Sequence, residues 1–303
     1  MCVLKGNLLQ IDNSLFRFHV TTQTINLVFY SDPVRKENRY YLRCLVIRPG
    51  NASMSYVESF SKQWQLFNRT QLDSASSTQS HDTFVEKTGI KPEELAGTVL
   101  DAGCGMGRFL EVVSRNSAVR VVGVDLSTSV DAARQNLATR SNVTIIQGDI
   151  LDPNLFPTES FDFIYSIGVI DHTPNPKQAF LNLARFLKPD GIIAIWVYKK
   201  WKGSLFSDQY RHLTCRLPWR MLLWMCRRAI KLYPLYKRFP SLVIFLPISM
   251  HPDPEWRLLD TFDWYSPRYQ FKFTVEEVVE WFKEANLRKI ETLQIPVSVR
   301  GRR

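Results

Sequence analysis

Short apolar runs that alternate with amphipathic stretches characterise the middle of the chain. These runs lie at 98–100, 119–124, 143–146, 161–165 and 192–197. Apolar runs of this length, separated by helical segments, are typical of strands buried on both faces of a parallel sheet. The pattern therefore predicts an α/β domain in which strands alternate with helices.

Helix signals precede the last of these runs. Asn175 can cap a helix that has Pro176 in its first turn. Lys188 is expected in the last turn of this helix, and Pro189 is expected to stop it.

The C-terminal segment predicts one helix and a hairpin. Thr274 and Glu277 have the spacing of a capping box, and Asn286 is suited to close the helix that they open. The short runs 289–293 and 296–299 follow, and they can pair as an antiparallel hairpin at the sheet edge.

The N-terminal part of the chain has a weaker pattern. Aromatic residues spaced three and four apart predict a helix over 56–67, whose side chains we expect to pack in the core. Residues 73–80 are rich in Ser and Thr and predict a loop. In the first part of the chain, the runs 27–30 and 45–47 can form strands.

The positive charge of the protein is concentrated in one segment. The net charge is +10, and residues 199–240 contain eleven basic residues opposed only by Asp208, so this segment accounts for all of it. Large apolar residues alternate with these cations.

Three functional interpretations of this basic segment stay open, namely an amphipathic lid, a membrane-surface helix and a patch for an anionic substrate. A helical insertion with a solvated basic face is the simplest interpretation. A nucleic-acid partner is not expected, because neither an RNA-binding signature nor a zinc finger accompanies the segment.

Cysteine spacing and the N-terminus bear on metal binding and location. The five cysteines form no C-x-x-C pair, which argues against a zinc site, and their odd number predicts free thiols. No apolar segment after Met1 resembles a signal peptide, and the longest apolar run, 239–250, is too short to span a bilayer. We therefore expect a cytoplasmic protein without a metal site.

A glycine-rich loop follows the first core strand. Gly103, Gly105 and Gly107 lie between Asp101, at the end of that strand, and a helix that starts near Arg108. Glycine lets the backbone turn tightly and approach a ligand closely. A dinucleotide fingerprint would require glycine at position 108, and the Asp101 carboxylate would repel a pyrophosphate. A ligand with a cationic centre suits that carboxylate better.

Two more carboxylates follow the next strands. Asp125 ends the second strand, where it can accept hydrogen bonds from ribose hydroxyls, and Asp149 follows the third. With Asp101, they are expected at neighbouring carboxyl ends, where open α/β sheets bind ligands.

These motifs resemble those of the class I S-adenosylmethionine-dependent methyltransferases, most closely the type 11 methyltransferase-domain group. The matching segments are 100–107, 122–127, 148–150, 161–166 with 172–174, and 187–191. The chain departs from the family pattern at Asp171, where a second His or a Glu is frequent, and at Asp190, where Gly is frequent.

The resemblance implies a fold, a cofactor and a set of binding residues. The fold is α/β and Rossmann-like, with a mostly parallel seven-stranded sheet, an N-terminal extension and a helical insertion. The cofactor is S-adenosyl-L-methionine. By resemblance, the methionine moiety is held by Asp101, Gly103, Gly105 and Gly107, the ribose by Asp125, and the adenine end by Asp149 with Ile150.

Methyl transfer to an oxygen or nitrogen nucleophile can require a base. His172 is the first candidate and Asp171 the second, although His172 can instead orient the turn at Thr173 and Pro174. The acceptor is expected to be a small or lipid-like molecule.

Four segments are expected along the chain. They are an extension with an aromatic helix (1–80), a cofactor-binding core (81–200), a basic helical insertion or lid (201–265), and a C-terminal helix with edge strands (266–303).

Two other functions compete with a methyltransferase. One is a non-catalytic S-adenosylmethionine-binding regulator or scaffold, and the other is a nicotinamide oxidoreductase, against which Arg108 argues. The identity of the acceptor and the oligomeric state do not follow from these patterns.

Overall fold

Two compact units, 1–50 and 51–303, make up the chain. The computed structural model describes the backbone of residues 17–20, 23–30, 41–45, 54–73, 78–200 and 204–303, and the side chains of 57–73, 78–200 and 208–303. The first unit contains an antiparallel sheet of β1 (Arg17–Val20), β2 (Gln23–Tyr30) and β3 (Tyr41–Leu45), in that order. The predicted run 27–30 falls within β2, whereas most of the run 45–47 lies outside the described residues.

A seven-stranded sheet is the centre of the second unit. Its strands are β4 (Gly97–Ala102), β5 (Val119–Asp125), β6 (Val143–Gln147), β7 (Phe161–Ile167), β8 (Leu187–Trp196), β9 (Arg288–Thr292) and β10 (Ser298–Arg302). Their order is β6-β5-β4-β7-β8-β10-β9, in which the first five strands are parallel and β10 is antiparallel to both of its neighbours. The predicted mostly parallel, Rossmann-like sheet with an edge hairpin is confirmed.

Eleven helices are described around these strands. They are α1 (Met54–Leu66), α2 (Gln79–Thr88), α3 (Arg108–Ser114), α4 (Val130–Asn136), α5 (Pro176–Arg185), α6 (Ser204–Thr214), α7 (Trp219–Ala229), α8 (Tyr233–Arg238), α9 (Leu242–Phe245), α10 (Pro254–Tyr265) and α11 (Val275–Glu284). In the part of the chain that the structure describes, no helix combines the length and the apolar character needed to cross a membrane.

Apolar clusters cover both faces of the sheet. Successive side chains of a strand point to opposite faces, so Val99 joins a cluster with Phe84 of α2, while Leu100 joins a cluster with Phe180 of α5. A third cluster joins α7 and α10 to Phe67, which follows α1. Full burial of one large apolar side chain contributes about 1.5–3 kcal/mol, so these contacts hold the helices firmly over the strand ends.

The predicted helix caps are present. The Asn175 side chain accepts a hydrogen bond from the Gln178 amide at 3.2 Å. Thr274 and Glu277 form a reciprocal capping box, with N–H···O distances of 3.3 and 2.7 Å. Asn286 adopts the left-handed conformation, with φ of 56°. These local signals are therefore confirmed.

Two predicted boundaries are wrong. Helix α5 ends at Arg185, and Lys188 with the following proline lies in β8, where Lys188 Nζ binds Asp162 Oδ2 of β7 at 2.7 Å. Pairing with β7 thus starts the strand earlier than the local pattern indicates. Ser80 belongs to α2 rather than to a loop, because Asp73 Oδ1 accepts its backbone N–H at 2.7 Å and stabilises the start of that helix.

Candidate active site

A cavity of about 500 Å³ lies at the carboxyl ends of the parallel strands. The loops after β4, β5, β6, β7 and β8 form one side of it, and α1, α2 and α10 contribute the other. The chain runs from β4 to β5 on one side and reaches β7 on the other, so the cavity lies at the point where the strand order reverses. Open α/β sheets bind ligands at this place.

Asp125 connects two of the loops at the cavity wall. Its Oδ2 accepts the Gly105 N–H at 2.9 Å, and its Oδ1 accepts the Ser127 N–H at 2.8 Å and the Ser127 hydroxyl at 2.6 Å. A carboxylate offers about four acceptor positions, and the described residues occupy three of them. Asp125 therefore has capacity left for about one hydroxyl donor in the cavity.

Two glycines of the loop, Gly103 and Gly105, line the cavity. Gly103 has φ of 98°, and a Cβ there would lie 2.2 Å from a methyl carbon of Val169, so another residue is excluded by strain and by contact. Gly105 has φ of 52° and lies against the indole of Trp64. Gly107 is the N-cap residue of α3, packs near Leu137 and does not line the cavity.

Asp149 and Ile150 line the cavity beyond β6. Asp149 Oδ1 accepts the Leu151 N–H at 2.9 Å, which holds the side chain in a local turn. Burial raises the pKa of this carboxyl. Ile150 is nearly buried and offers an apolar surface to the cavity.

Asp101 lies directly before the glycine loop but does not line the cavity. It is 2% exposed, and its Oδ2 has no hydrogen-bond partner among the described residues. Burial raises the pKa of Asp101 to about 8, the Tyr165 hydroxyl opposes this rise, and the negative charge of Asp125 adds to it. The structure thus brings Asp125 and Asp149 to the cavity wall and places Asp101 behind it.

His172 lies in a short 3-10 turn after β7 and lines the cavity. Its Nδ1 is 2.8 Å from the backbone carbonyl of Tyr269. A carbonyl only accepts, so Nδ1 carries a proton and, in the neutral ring, Nε2 retains the lone pair. The rings of Phe60 and Tyr198 flank the imidazole at 5.1 and 5.8 Å between centroids.

Asp171 is fully buried and does not line the cavity. Its Oδ2 lies 3.6 Å from His172 Nε2, which is too long for a hydrogen bond. Burial raises the pKa of Asp171 to about 6, and the neighbouring His172 opposes the rise. The arrangement brings His172 to the cavity and leaves Asp171 behind it.

Several cavity-lining side chains were not identified from the sequence. They are Lys87 on α2, Trp196 and Tyr198 at the end of β8, and Trp256, Asp260 and Asp263 on α10. No motif assigned a cavity role to any of them, and 57 residues separate the end of β8 from the start of α10, so only the tertiary structure brings them together. Arg108 also lines the cavity, although from the sequence it served only as an argument against a dinucleotide site.

Aromatic residues of α1 also reach the cavity. Phe60 and Trp64 line it, so the expectation that they only pack in the core is wrong. Trp64 additionally contacts the third apolar cluster. The helical period identified the face of α1 but not what that face covers.

Comparison with known proteins identifies the strand-and-loop region. Residues 100–195 match a family model described as "Methyltransferase domain". The chain is 33% identical over 127 residues to cyclopropane-fatty-acyl-phospholipid synthase of Escherichia coli (strain K12), an alignment covering 41% of this chain and 31% of that protein. It is 30% identical over 116 residues to phosphoethanolamine N-methyltransferase 2 of Caenorhabditis elegans, covering 38% and 26%.

A third relative is similar over a shorter length. Ubiquinone biosynthesis O-methyltransferase of Rhodopseudomonas palustris (strain TIE-1) is 30% identical over 106 residues, which covers 35% of this chain and 42% of that protein. The chain thus spans less than half of the length of each of these relatives.

Proposed function

We propose that the protein transfers the methyl group of S-adenosylmethionine to a small-molecule or lipid-like acceptor, because residues 100–195 match the methyltransferase-domain family model and the cavity suits this cofactor. One observation carries the proposal. A single cavity joins the Asp125 and glycine-loop wall to an acceptor-side wall formed by α1, α2 and α10. By their names, the relatives above are a synthase of a cyclopropane-fatty-acyl phospholipid, an N-methyltransferase of phosphoethanolamine and an O-methyltransferase of ubiquinone biosynthesis.

The residues at the first wall suit S-adenosylmethionine. When bound, it supplies an activated methyl group on a positively charged sulfur. Asp125 would accept a ribose hydroxyl, Asp149 and Ile150 would face the adenine, and the glycine loop would let the methionine moiety approach the backbone. Asp101 has a buried carboxyl oxygen without a described partner next to this loop, which suits the cationic end of the ligand.

The second wall would orient the acceptor and exclude water. We propose that the helical segment 201–265 acts as a lid, because α10 supplies Trp256, Asp260 and Asp263 to the cavity. The lone pair on His172 Nε2 would take a proton from an oxygen or nitrogen nucleophile.

Transfer of a labelled methyl group tests the proposal. The protein is incubated with S-adenosylmethionine labelled on its methyl group, together with fractionated lipids and small metabolites, and labelled products are separated. We expect label in one acceptor fraction, with kcat lowered by about 10²–10⁴ in His172→Gln and little change in S-adenosylhomocysteine affinity. Cofactor binding without label in any fraction would favour the non-catalytic regulator or scaffold. Absence of cofactor binding would refute both.

An exposed surface that extends from Leu213, near the end of α6, to Met250 supports a lipid-like acceptor. Large apolar residues that are 37–69% exposed are concentrated there, namely Leu213, Met221, Trp224, Met225, Leu232, Leu235, Phe239, Ile244, Phe245, Leu246 and Met250. No Asp or Glu occurs between Asp208 and Asp253. Exposed Arg227, Arg228 and Lys231 lie among these apolar side chains. We propose that this exposed helical surface rests on an anionic lipid membrane.

The composition of this surface favours lipid over nucleic acid. Nucleic acid binding needs the cations but gives no reason to expose Leu, Met and Phe side chains. An anionic membrane interface accommodates both, because apolar side chains enter the acyl boundary while Lys and Arg meet the headgroups.

Vesicle sedimentation tests this contact. We expect binding to vesicles of phosphatidylcholine mixed with phosphatidylglycerol, and weaker binding to phosphatidylcholine alone. Each surface cation contributes about 1 kcal/mol, so Arg227→Gln with Arg228→Gln should weaken binding roughly 30-fold. Trp224→Ser with Phe239→Ser should weaken it too, while Arg134→Gln on α4, which is also exposed, should not. Equal binding by all variants, or self-association in solution that buries Trp224, would contradict the proposal.

A further inference from the structure

Two cationic side chains face the cavity without a carboxylate partner. Lys87 and Arg108 both line it, and neither forms an ion pair within 4.0 Å with any residue that the structure describes. A partly buried cation without an anion is unfavourable unless something compensates its charge. The surroundings of the two side chains indicate what that is.

Lys87 is held over an aromatic ring. Its Nζ lies 3.3 Å from the centroid of the Trp196 ring, and it has no hydrogen-bond acceptor among the described residues. Burial and, to a smaller extent, the nearby positive charge of Arg108 lower the pKa of Lys87 to about 7. An anion in the cavity would restore the charged form and use its N–H donors.

Arg108 is oriented by neutral groups. Its Nε donates to the Ser80 hydroxyl at 2.9 Å and a terminal nitrogen donates to Thr83 Oγ1 at 3.4 Å, while Trp256 lies under its plane at 5.0 Å. Thr83 precedes Lys87 by four residues on α2, so the two side chains lie on the same face of that helix. The guanidinium and the ammonium are therefore neighbours at one part of the wall.

The acidic residues nearby are bound to other donors. Asp260 Oδ2 accepts the Ser249 hydroxyl at 3.0 Å. Asp263 accepts the Gln63 amide at 3.0 Å and the Tyr198 hydroxyl at 3.3 Å. These carboxylates lie on the same wall without neutralising the two cations by contact, so the cationic position stays open to a ligand.

We infer that the methyl acceptor carries a carboxylate or phosphate group, and that Lys87 and Arg108 bind this group in the acceptor half of the cavity. The inference rests on the proposed function and specifies its substrate class. Trp196 and Trp256, stacked on the two cations, would flank the anion. The cofactor would then lie against the wall that carries Asp125 and Asp149, and the acceptor's anion would lie at the other wall.

Anion binding to the cofactor-loaded protein tests the inference. Protein saturated with S-adenosylhomocysteine is titrated with inorganic phosphate and, separately, with butyrate, and both heat and tryptophan fluorescence are followed. We expect one-site binding of at least one of the two anions, and the anion that binds identifies the group. Lys87→Met and Arg108→Met should each weaken it about tenfold or more. Lys177→Met, an exposed lysine on α5 that pairs with Glu284, should leave it unchanged.

The outcomes separate this inference from the proposed function. If the parent binds S-adenosylhomocysteine but neither anion, the inference is wrong and the methyltransferase proposal stands. If an anion binds equally well to both Met variants while they retain cofactor binding, the site lies elsewhere and the inference is also wrong. If the parent fails to bind the cofactor, the proposed function is the part that fails. Lys87→Arg, which keeps the charge, should retain more anion affinity than Lys87→Met and shows that charge rather than folding is responsible.

Discussion

Asp125→Ala is expected to weaken S-adenosylhomocysteine binding by about a hundredfold or more. The substitution removes the acceptor that we propose for a ribose hydroxyl and also the three hydrogen bonds that hold the Gly105 and Ser127 loops together. Hydrogen bonds to a charged group contribute about 1.5–3 kcal/mol each, so the loss of a ligand contact and of loop order together gives a large effect. Isothermal titration calorimetry measures it directly.

Two variants control this experiment. Asp131→Ala removes an exposed carboxylate of α4 that pairs with Arg134, and it should leave the affinity unchanged. Asp125→Asn keeps the size of the side chain but replaces one acceptor oxygen by an NH₂ donor, so it should lose either the bond to Gly105 or those to Ser127. Its affinity for S-adenosylhomocysteine should lie between those of the parent and the alanine variant. If Asp125→Ala binds S-adenosylhomocysteine as tightly as the parent does, Asp125 is not a cofactor-binding residue and the proposed cofactor site is wrong.

Asp101→Asn is expected to stabilise the cofactor-free protein while it weakens cofactor binding. The folded-state pKa of Asp101 is about 8, above its ordinary value of 3.8, so the unfolded chain releases this proton at lower pH than the folded protein does. The resulting loss of stability begins near pH 4 and grows as the pH rises towards 8. Asparagine has no such proton, so it should raise the free energy of unfolding at pH 7 by at most about 4 kcal/mol.

The sign of this effect distinguishes Asp101 from an ordinary structural carboxylate. Burial raises the pKa of Asp162, but its hydrogen bonds with Lys188 and Thr98 outweigh burial and lower that pKa below 3.8. Asp162→Asn should therefore destabilise the protein at neutral pH, and this destabilisation should diminish as the pH falls through that lowered value. Urea unfolding from pH 8 down to below pH 3.8 compares the two variants, since the Asp162 effect changes only below that value. If Asp101→Asn lowers stability at neutral pH, the buried carboxyl has a structural role that the assignment omits.

Local sequence patterns were sufficient for the sheet and for the loop at its edge. Strands buried on both faces must be apolar at nearly every position, so β4 to β8 were visible as five runs. Gly103 was visible because the backbone there needs a positive φ, and Thr274 because a capping box involves only residues three apart. Such signals lie within a few residues, and no distant contact is needed to produce them.

Signals that depend on distant contacts were missed or misplaced. Lys188 was predicted in a helix because its local neighbours are helical, whereas pairing with β7 and the contact to Asp162 place it in a strand. The cofactor and catalytic roles of Asp101, Asp125 and His172 stay predictions, although the structure separates them by position, with Asp101 behind the wall and the other two on it. Burial sets these differences, and burial depends on the whole packed domain.

The acceptor wall shows the same division most clearly. Lys87 and Arg108 carry no motif, because an isolated lysine or arginine on a helix is usually a solvated surface residue. They become significant where α2 and α3 bring them into a shared cavity with Trp196 and Trp256. Periodicity and short motifs therefore established which domain this is. The packing of helices over the strand ends established which side chains are buried side by side in the cavity wall. These side chains determine what kind of acceptor the cavity can bind.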